Sequence, residues 1–386
     1  MLVNGKRALA YTATCGPITP IPGADNIDLM QVDGWKLIVK KGEFKEGDTC
    51  VYFETDSKLP ERPWSEFMAS KHYKVKIMKL SKFGVWSEGL ALPLSVFTED
   101  IPNQPGVDVT DILGVKYSVE EDNVRKASTN ELKYKAMAAR HQKLFKKKPF
   151  RWMMRHAWGR KILFAFFGKK KDSPRKFPGF IKKTDEVRIE NEPWRLGDGK
   201  TYLVSEKLDG TSSSFGLLRK KFGKFEYFVC SRNVRQKDEN QKCYHDTNIY
   251  WDMSFKYDIE NHLRQYLKDN PKLDWVYIQG ESVGSVQGNP LKLAEDDLYI
   301  FNFVRSDCGR LPSEEGKKIT DSWGMKWVPL LGYVTLPEDI DDAKELAEGK
   351  SVVNPKVKRE GLVYRSLDGK ESFKNVSRTY QLKHSG

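Results

Sequence analysis

Residues 201–218 read TYLVSEKLDGTSSSFGLL, and this stretch determines the predicted fold around one lysine. TYLVSEK has the composition of a strand, and GTSSSFGLL predicts a second strand. The Asp-Gly pair at 209–210 is typical of a turn. We therefore expect Lys207 to lie at the junction of two strands, followed by small hydroxyl residues that a surface lysine would not need.

The later predicted strands each carry or end in an ionisable residue. Glu281 ends VYIQGE, Glu360 begins EGLVYR, and Lys374 lies within SFKNVS. Because side chains alternate along a strand, such groups can face one side and converge over a pocket. One lysine, two carboxylates and a second lysine suit nucleophilic attack on a nucleotide phosphate.

This chemistry needs a neutral amine and a neutralised phosphate. A free lysine has a pKa of about 10.4, so we expect repulsion from Lys374 to lower the pKa of Lys207. A divalent ion held by the carboxylates would neutralise the phosphate oxygens. We expect Gly210 to allow the backbone close to the ligand, and residues 211–214 to leave room and supply hydroxyl donors.

The first hundred residues predict a small β-barrel. GWKLIVKKGEFKEGDTCVYFETDS predicts strands at about 36–40 and 49–54 around a glycine-bearing turn. YKVKIMKLSKFGVWSEGLALPLS predicts two more strands around a bend at Gly84. Several short strands without a long helix favour an OB-type barrel.

The pattern becomes mixed after residue 177. Further strands accompany DIENHLRQYLKDNP, in which Ile259, Leu263 and Leu267 recur at helical spacing. The sequence thus predicts an α+β protein. It divides into an OB-type domain over 1–100, a connector over 101–176, and a mixed α/β domain built on antiparallel sheets over 177–386.

The net charge of +13 is concentrated in one segment. Residues 125–171 contain sixteen lysines and arginines and one acid, Glu131, so the rest of the chain has a net charge of −2. Such a concentration indicates a polyanionic partner. We expect the segment to be partly helical. Three interpretations stay open: a hairpin packed on one domain with solvated charges, a nucleic-acid contact, or a membrane-surface helix.

Five cysteines are scattered without a C-x-x-C pair. We therefore expect no structural zinc, no disulfide framework, and a reducing intracellular compartment, cytoplasmic or nuclear. The N-terminal residues lack the apolar core of a signal peptide, and no stretch is apolar over the length that spans a bilayer, so we expect no membrane partner. The sequence specifies no oligomeric state.

The segment EKLDGTS resembles the K-x-D-G nucleotidylation motif of the covalent nucleotidyltransferases: RNA ligases, DNA ligases and mRNA-capping guanylyltransferases. CSRN, YIQGE, LYIFNF, EGLVYR and SFKNVS follow in the order of that family's later motifs. FPGFIKKTDEVRIEN and the N-terminal barrel resemble one branch of RNA ligases. The domain order favours an ATP-dependent RNA ligase, because DNA ligases and capping enzymes usually carry their OB domain after the transferase domain.

This resemblance implies roles for the motif residues. Lys207 would take AMP from ATP, and Lys374 would contact the α-phosphate. Asp209, Glu281 and Glu360 would hold Mg²⁺ or Mn²⁺, often through water, with Glu360 as the main ligand. The implied nucleotide-binding set comprises Glu206, Lys207, Leu208, Gly210, Arg232, Glu281, Phe301, Phe303, Lys374, Lys383, Lys183 and Arg188.

Several of these residues also have ordinary structural interpretations. Asp209 would be part of a turn only, Glu206 would have an exposed side chain, and Arg232 would form a loop salt bridge. Phe301 or Phe303 would stack on the adenine, but an aromatic residue in a strand is more often in the core.

The chain departs from the family pattern at Ser372. Many relatives have two lysines in K-x-K spacing where this chain has Ser372 and Lys374, and Lys383 is our candidate for the missing cation. Lys183 and Arg188 are candidates for contacts to the β- and γ-phosphates, with solvent exposure as the alternative.

The resemblance implies an enzyme that joins RNA 3′-hydroxyl and 5′-phosphate ends, with a nicked duplex as the expected substrate. It would act through a lysyl-AMP and then an RNA-adenylate intermediate. The alternatives are a DNA ligase or capping-type nucleotidyltransferase, or a non-catalytic RNA-binding module that keeps the fold.

Overall fold

The structure is a computed structural model and describes residues 2–3, 6–118, 145, 147–167, 177–236 and 248–384. Most of the basic segment 125–171 therefore lies outside the described residues. Within the described part of the chain, no helix has both the length and the apolar character to cross a bilayer.

The N-terminal region is built from short antiparallel strands. Two three-stranded sheets, ordered β11-β7-β3 and β4-β5-β6, form most of it, and β9 and β10 form the predicted hairpin around Gly84. The strands are β1 (Leu2–Val3), β2 (Lys6–Arg7), β3 (Ala10–Thr14), β4 (Ile18–Pro20), β5 (Ile27–Val32), β6 (Trp35–Lys40), β7 (Thr49–Phe53), β8 (Ser57–Lys58), β9 (Met78–Leu80), β10 (Val85–Ser87), β11 (Leu90–Pro93) and β12 (Lys116–Tyr117).

Alternation explains how these strands bury their core. In β6, Trp35, Leu37 and Val39 are buried and the residues between them are partly exposed. The ring of Trp35 stacks on Tyr52 of β7. This inward face joins the two sheets through apolar contacts.

The barrel extends beyond the predicted boundary at residue 100. Val109, Leu113 and Val115 are buried in the same cluster as Leu9 and Phe53. They belong to α1 (Thr110–Leu113) and its flanks, and β12 pairs with β8. Part of the predicted connector therefore packs on the barrel. A 3₁₀ stretch over Pro63–Lys71 was also not predicted.

Two antiparallel-rich sheets form the C-terminal region. One is ordered β13-β23-β22-β14-β21, and the other β16-β15-β17-β18-β19, with β20 parallel to β18. The strands are β13 (Val187–Arg188), β14 (Thr201–Lys207), β15 (Thr211–Arg219), β16 (Phe225–Ser231), β17 (Trp275–Val283), β18 (Asp297–Arg305), β19 (Gly309–Arg310), β20 (Lys326–Trp327), β21 (Leu330–Thr335), β22 (Gly361–Ser366) and β23 (Ser372–Val376).

Helices cover these sheets. The predicted apolar stripe Ile259, Leu263 and Leu267 is fully buried and packs in one core with β15, β17 and β18. The helices after α1 are α2 (Lys148–Arg155), α3 (Ala157–Phe167), α4 (Ile249–Lys256), α5 (Ile259–Asp269), α6 (Ser313–Ser322), α7 (Ile340–Leu346) and α8 (Arg378–His384).

The barrel is joined to the C-terminal region by buried polar contacts. The indole N–H of Trp35 donates to Asn191 at 2.8 Å, and the backbone N–H of Gly34 donates to the Glu190 carbonyl at 2.7 Å. A Cβ at Gly34 would lie 2.7 Å from Cα of Glu190. Only glycine therefore permits this close approach.

Buried ion pairs reinforce this interface. Arg378 of α8 donates to both carboxylate oxygens of Glu88 in the barrel, at 3.1 and 2.8 Å. Lys344 of α7 lies 3.6 Å from the same carboxylate and also pairs with Glu190. The side chain of Glu88 is 1 % exposed, so removal of a partner leaves a buried charge unpaired.

We predict that Arg378→Met lowers the free energy of unfolding by about 3–5 kcal/mol, because Glu88 stays buried with one partner fewer. Urea unfolding measures this loss. Arg264→Met is the matched control, since Arg264 pairs with Glu260 one turn away on the surface, and it should cost only about 0.3–0.5 kcal/mol. Equal losses in the two variants would contradict the prediction.

Candidate active site

The ends of several strands meet around Lys207. β14 pairs with β22 so that Lys207 lies opposite Gly361, the residue after Glu360. β15 begins after the turn and pairs with the end of β17 that carries Glu281. β23 pairs with β22 and carries Lys374. The sheet registers therefore bring together the predicted nucleophile, carboxylates and second lysine.

Carboxylates surround the amine of Lys207. Its Nζ lies 2.6 Å from Oε1 of Glu360. Burial lowers the pKa of Lys207, but Glu360, Glu281 and Asp209 act in the opposite direction, and the pKa is raised overall. The expectation that Lys374 lowers the pKa of Lys207 is therefore wrong, because the nearby negative charges outweigh it.

Lys374 is the lysine with a depressed pKa. Burial, together with the charges of Arg188, Lys207 and Arg7, lowers the pKa of Lys374 to about 7, against the opposing effect of Asp185. Arg188 lies beside Lys374 in the parallel pairing of β13 and β23. Arg7 belongs to the barrel, so both regions contribute cations to this end of the site.

Glu281 and Glu360 are buried carboxyl groups with raised pKa values. Burial raises the pKa of Glu281 to about 8; Lys207 lowers it, and the Glu360 and Asp209 charges raise it. Burial also raises the pKa of Glu360. Three carboxyl groups around one ammonium form an environment that favours an added cation.

The donor set suits a hard divalent cation such as Mg²⁺ or Mn²⁺, which prefers oxygen ligands. Oε2 of Glu360 is buried and has no hydrogen-bond partner, so it can accept from a metal-bound water or bind a cation. Although three carboxyl groups surround the amine, no three Asp, Glu, His or Cys side chains in the described ranges are close enough together to bind a metal ion directly. Asp209, Glu281 and Glu360 would therefore hold the ion partly through water.

Tyr380 is a site residue that sequence reasoning missed. Its hydroxyl donates to Oδ2 of Asp209 at 2.5 Å, and its ring stacks on His384 with centroids 4.1 Å apart. Burial, followed by the charge of Asp209, raises the pKa of Tyr380, so the hydroxyl stays protonated and keeps donating. Asp209 therefore has a tertiary contact in addition to its turn. No local pattern links residues 171 positions apart.

A small pocket, with a cavity volume of about 80 Å³, opens beside the lysine. Of the predicted nucleotide-binding set, it is lined by Glu206, Lys207, Leu208, Glu281 and Phe301. Sequence reasoning missed several further lining residues, including Thr184, Glu186, Ser205, Val328, Val363 and Arg365.

Phe301 and Phe303 differ in position because β18 has an irregular register. Gln279 pairs with Asn302 while Gly280 pairs with Ile300, so Phe301 is an extra residue in the strand. Phe301 lines the pocket. Phe303 is fully buried in the main core, which was the alternative interpretation of an aromatic residue in a strand, and its contact with the nucleotide stays a prediction. A β-bulge re-aims one side chain in this way.

The structure gives both Glu206 and Gly210 a close contact with neighbouring backbone. Glu206 is buried, which excludes the alternative of an exposed side chain; its Oε2 accepts the Val352 N–H at 2.8 Å, and burial raises its pKa. A Cβ at Gly210 would lie 2.3 Å from the carbonyl oxygen of Ser282 in β17, so this neighbouring strand also requires glycine. The close approach of Gly210 to a ligand stays a prediction.

The remaining predicted cations lie in different surroundings. Arg188 is buried, with Nε lacking a partner, and lies beside Lys374. Arg232 pairs with Asp185 in a loop salt bridge, which was the alternative interpretation. Lys183 and Lys383 are exposed and do not line the pocket, so their predicted contacts with phosphate stay predictions.

Arg365 was missed although it is the last residue of the EGLVYR motif. It lies opposite Ser372 in the ladder of β22 and β23. It donates to the Phe301 carbonyl, and its Nη2 lies 3.8 Å from Glu186. Burial lowers the pKa of Arg365 to about 10. A pocket-lining cation therefore lies beside the position where the family pattern leads us to expect a lysine.

Comparison with known proteins agrees with this geometry. The model of an OB-fold domain matches residues 9–94, and that of the RNA ligase family matches residues 200–378. These matches confirm the predicted fold class, an OB-type barrel followed by a mixed α/β domain on antiparallel sheets. No curated protein matches the chain.

Solved structures of one RNA ligase are similar over nearly the whole chain. The Naegleria gruberi RNA ligase with pyrophosphate is 32% identical, with 98% of this chain and 99% of that chain covered and a TM-score of 0.73. A variant of that ligase with ATP and manganese is 30% identical, with 98% of this chain and 100% of that chain covered and a TM-score of 0.73. A variant with AMP and manganese is 31% identical, with 98% of this chain and 99% of that chain covered and a TM-score of 0.72.

We predict that the free energy of unfolding of the wild type falls as the pH rises from about 5 to about 8, and that this fall is smaller in Glu281→Gln. The folded-state pKa of about 8 lies above the ordinary value of 4.5, so folded Glu281 keeps its proton longer than the unfolded chain does. Its contribution to stability is therefore present at low pH and is lost as pH rises through about 8.

Chemical unfolding at several pH values measures this effect as the difference between wild type and variant. The lowered pKa of Lys374 makes stability rise with pH, which is the opposite direction. Because both proteins contain Lys374, the difference between them cancels this contribution. A wild-type pH dependence identical to that of the variant would mean that Glu281 ionises normally.

Proposed function

Because the chain belongs to the RNA ligase family, we propose that it seals RNA ends with ATP through a nucleotide bonded covalently to Lys207. One observation carries this proposal. The amine of Lys207 lies at the pocket, within 2.6 Å of Glu360 and in the field of Glu281 and Asp209. An isolated surface lysine would not require three converging carboxyl groups.

In the first step, Nζ of Lys207 attacks the α-phosphorus of ATP. A nitrogen–phosphorus bond forms, the bond from that phosphorus to its bridging oxygen breaks, and pyrophosphate leaves. The amine must lose a proton to attack. Glu360 accepts a hydrogen bond from this amine, and its raised pKa makes its carboxylate the better proton acceptor.

Lys374 and Arg188 supply positive charge on the phosphate side. With a pKa lowered to about 7, Lys374 takes up a proton readily when an anionic phosphate arrives. It then stabilises the charge that develops on the transferring phosphoryl group. Phe301 supplies a ring face at the pocket wall, which suits stacking on a base.

A divalent cation among Asp209, Glu281 and Glu360 would neutralise phosphate oxygens and favour the uncharged amine. Tyr380 keeps Asp209 oriented toward this cluster. Burial is the main cause of the raised pKa values of Glu281 and Glu360, and the neighbouring carboxylate charges, which such an ion would offset, raise them further.

Two further transfers complete the reaction. The AMP passes from Lys207 to an RNA 5′-phosphate and forms a 5′–5′ pyrophosphate, which frees the amine. A 3′-hydroxyl then attacks the activated phosphate, a phosphodiester bond forms, and AMP leaves. We propose a nicked RNA duplex as the substrate and a reducing intracellular compartment as the location, since the described cysteines are free thiols.

Nucleotide and strand choice separate this proposal from its alternatives. Labelled ATP, not GTP, should modify the protein, because a capping-type enzyme would use GTP. Nicked RNA should be sealed in preference to nicked DNA. Absence of any adduct with ATP and Mg²⁺ would favour a non-catalytic RNA-binding module.

We predict that Lys207→Ala forms no AMP adduct but still seals an RNA whose 5′ end is already adenylated, because only the first step needs the amine. Mass spectrometry of the protein after ATP and gel analysis of the RNA measure the two activities. Lys200→Ala is the control, since Lys200 is exposed and pairs only loosely with Glu371. Failure on the pre-adenylated RNA would show that Lys207 also serves the last step or the fold.

We predict that Tyr380→Phe slows adduct formation roughly tenfold, because a hydrogen bond to a charged group contributes about 1.5–3 kcal/mol. The ring keeps its packing, so stability should change little. Single-turnover labelling with ATP measures the rate. Tyr364→Phe removes a buried hydroxyl from the core of the five-stranded sheet and should leave the rate unchanged. Equal rates in the two variants would show that the Tyr380 hydroxyl does not contribute to adduct formation.

A further inference from the structure

The helices α2 and α3 form a hairpin with its own small core. A Cβ at Gly159 would lie 2.2 Å from the Met153 carbonyl oxygen, so glycine permits the close approach of the two helices. The guanidinium of Arg160 donates to the Met154 carbonyl at 3.1 Å, near the end of α2. The core consists of Phe145, Leu163, Phe150, Met153, Met154 and Phe167.

The hairpin also carries aromatic side chains that this core does not use. Trp152 and Trp158 are 54% and 51% exposed, and their ring centroids lie 5.7 Å apart. The ring of His156 forms a triangle with them, with its centroid 4.9 Å from that of Trp152 and 6.1 Å from that of Trp158, on which it is stacked. We call these three side chains the aromatic platform. An exposed aromatic cluster of this kind indicates a binding surface.

Cations flank the aromatic platform. Arg151 and Arg155 are exposed and are four residues apart on α2, so they lie on one helix face, and Trp152 is on the helix surface beside that face. Residues 147–167 contain six lysines and arginines and no acidic residue. The surface is therefore complementary to a polyanion that also presents flat faces.

We propose that the aromatic platform stacks unpaired nucleotides in a single-stranded extension of the RNA, next to the nicked duplex, while Arg151 and Arg155 contact its phosphates. This combination of stacking rings and a cationic track is how proteins bind single strands without reading sequence. The inference rests on the proposed function, because that function supplies RNA as the polyanion. It places a substrate contact outside the nucleotide pocket.

A lipid surface fits this face less well. A helix that lies in a bilayer interface buries its apolar face and keeps its cations on the polar side. Here Arg151 and Arg155 project from the helix surface next to Trp152, so burying the ring in lipid would draw both guanidinium groups toward the apolar phase, which is costly. Membrane binding would instead use the exposed apolar residues Ile162 and Phe166 of α3.

The test measures binding of the full-length protein to a fluorescein-labelled, 5′-phosphorylated single-stranded RNA by anisotropy. Trp152→Ala with Trp158→Ala should weaken binding about 10- to 100-fold, as loss of base stacking does. Trp152→Phe with Trp158→Phe should keep most of the wild-type affinity for RNA, because phenylalanine retains a ring that can stack on a base. Phe166→Ala is the matched control, since Phe166 is 79% exposed on the same hairpin, and it should bind like wild type.

The salt dependence tests the arginines separately. Arg151→Gln with Arg155→Gln should reduce the slope of log affinity against log salt by about 1.4, because each phosphate that the protein neutralises on a single strand adds about 0.7 to that slope. The double tryptophan variant should keep the wild-type slope, because stacking releases no counterions.

Several outcomes would overturn the inference. They are wild-type RNA affinity in the double alanine variant, failure of phenylalanine to restore binding, and an unchanged salt slope in the glutamine variant. Binding to vesicles of phosphatidylcholine and phosphatidylserine that is lost with Phe166→Ala, while RNA affinity is unaffected by the tryptophan changes, would assign the hairpin to a membrane. Covalent labelling of the wild-type protein with ATP is measured alongside. Absence of this labelling would refute the proposed function, whereas the anisotropy measurement tests whether the aromatic platform binds RNA.

Discussion

The rest of the site depends on one buried imbalance of charge around Lys207. Glu360, Glu281 and Asp209 face a single ammonium, and removing charges from water is costly unless each is paired or protonated. Part of the imbalance is offset because Glu281 has a pKa of about 8. A cation and a nucleotide would change this distribution of protons. In the proposed reaction, nucleotide binding and proton release would therefore be coupled in this pocket, because an arriving cation favours the uncharged amine.

Local patterns predicted the strands and the motif residues because both depend on short-range rules. Alternation located β14, β17, β22 and β23, and helical spacing located α5. Once those strands pair in register, Lys207, Glu360 and Lys374 must converge, so the sequence was sufficient to predict the centre of the site. The resemblance to RNA ligases added the order of the domains, which the comparisons confirm.

What the sequence did not predict depends on long-range contacts and on electrostatic balance. The bond from Tyr380 to Asp209 joins distant positions, and the pairing of Arg378 with Glu88 joins two domains; neither has a local signature. The irregular register of β18 separates Phe301 from Phe303, although simple alternation treats them alike. The pKa of Lys207 was predicted in the wrong direction, because counting one nearby cation ignored the three carboxyl groups that the fold brings closer.

The helix α8 has a consequence for how the protein would respond to heat. Arg378 forms an ion pair with Glu88 of the barrel, and Tyr380, two residues later, donates a hydrogen bond to Asp209. A modest thermal loosening of the barrel would therefore displace Asp209, a carboxylate of the proposed reaction, while both sheets are still folded. Inactivation on warming should precede the loss of secondary structure, and the gap between the two temperatures would report how firmly the two domains are docked.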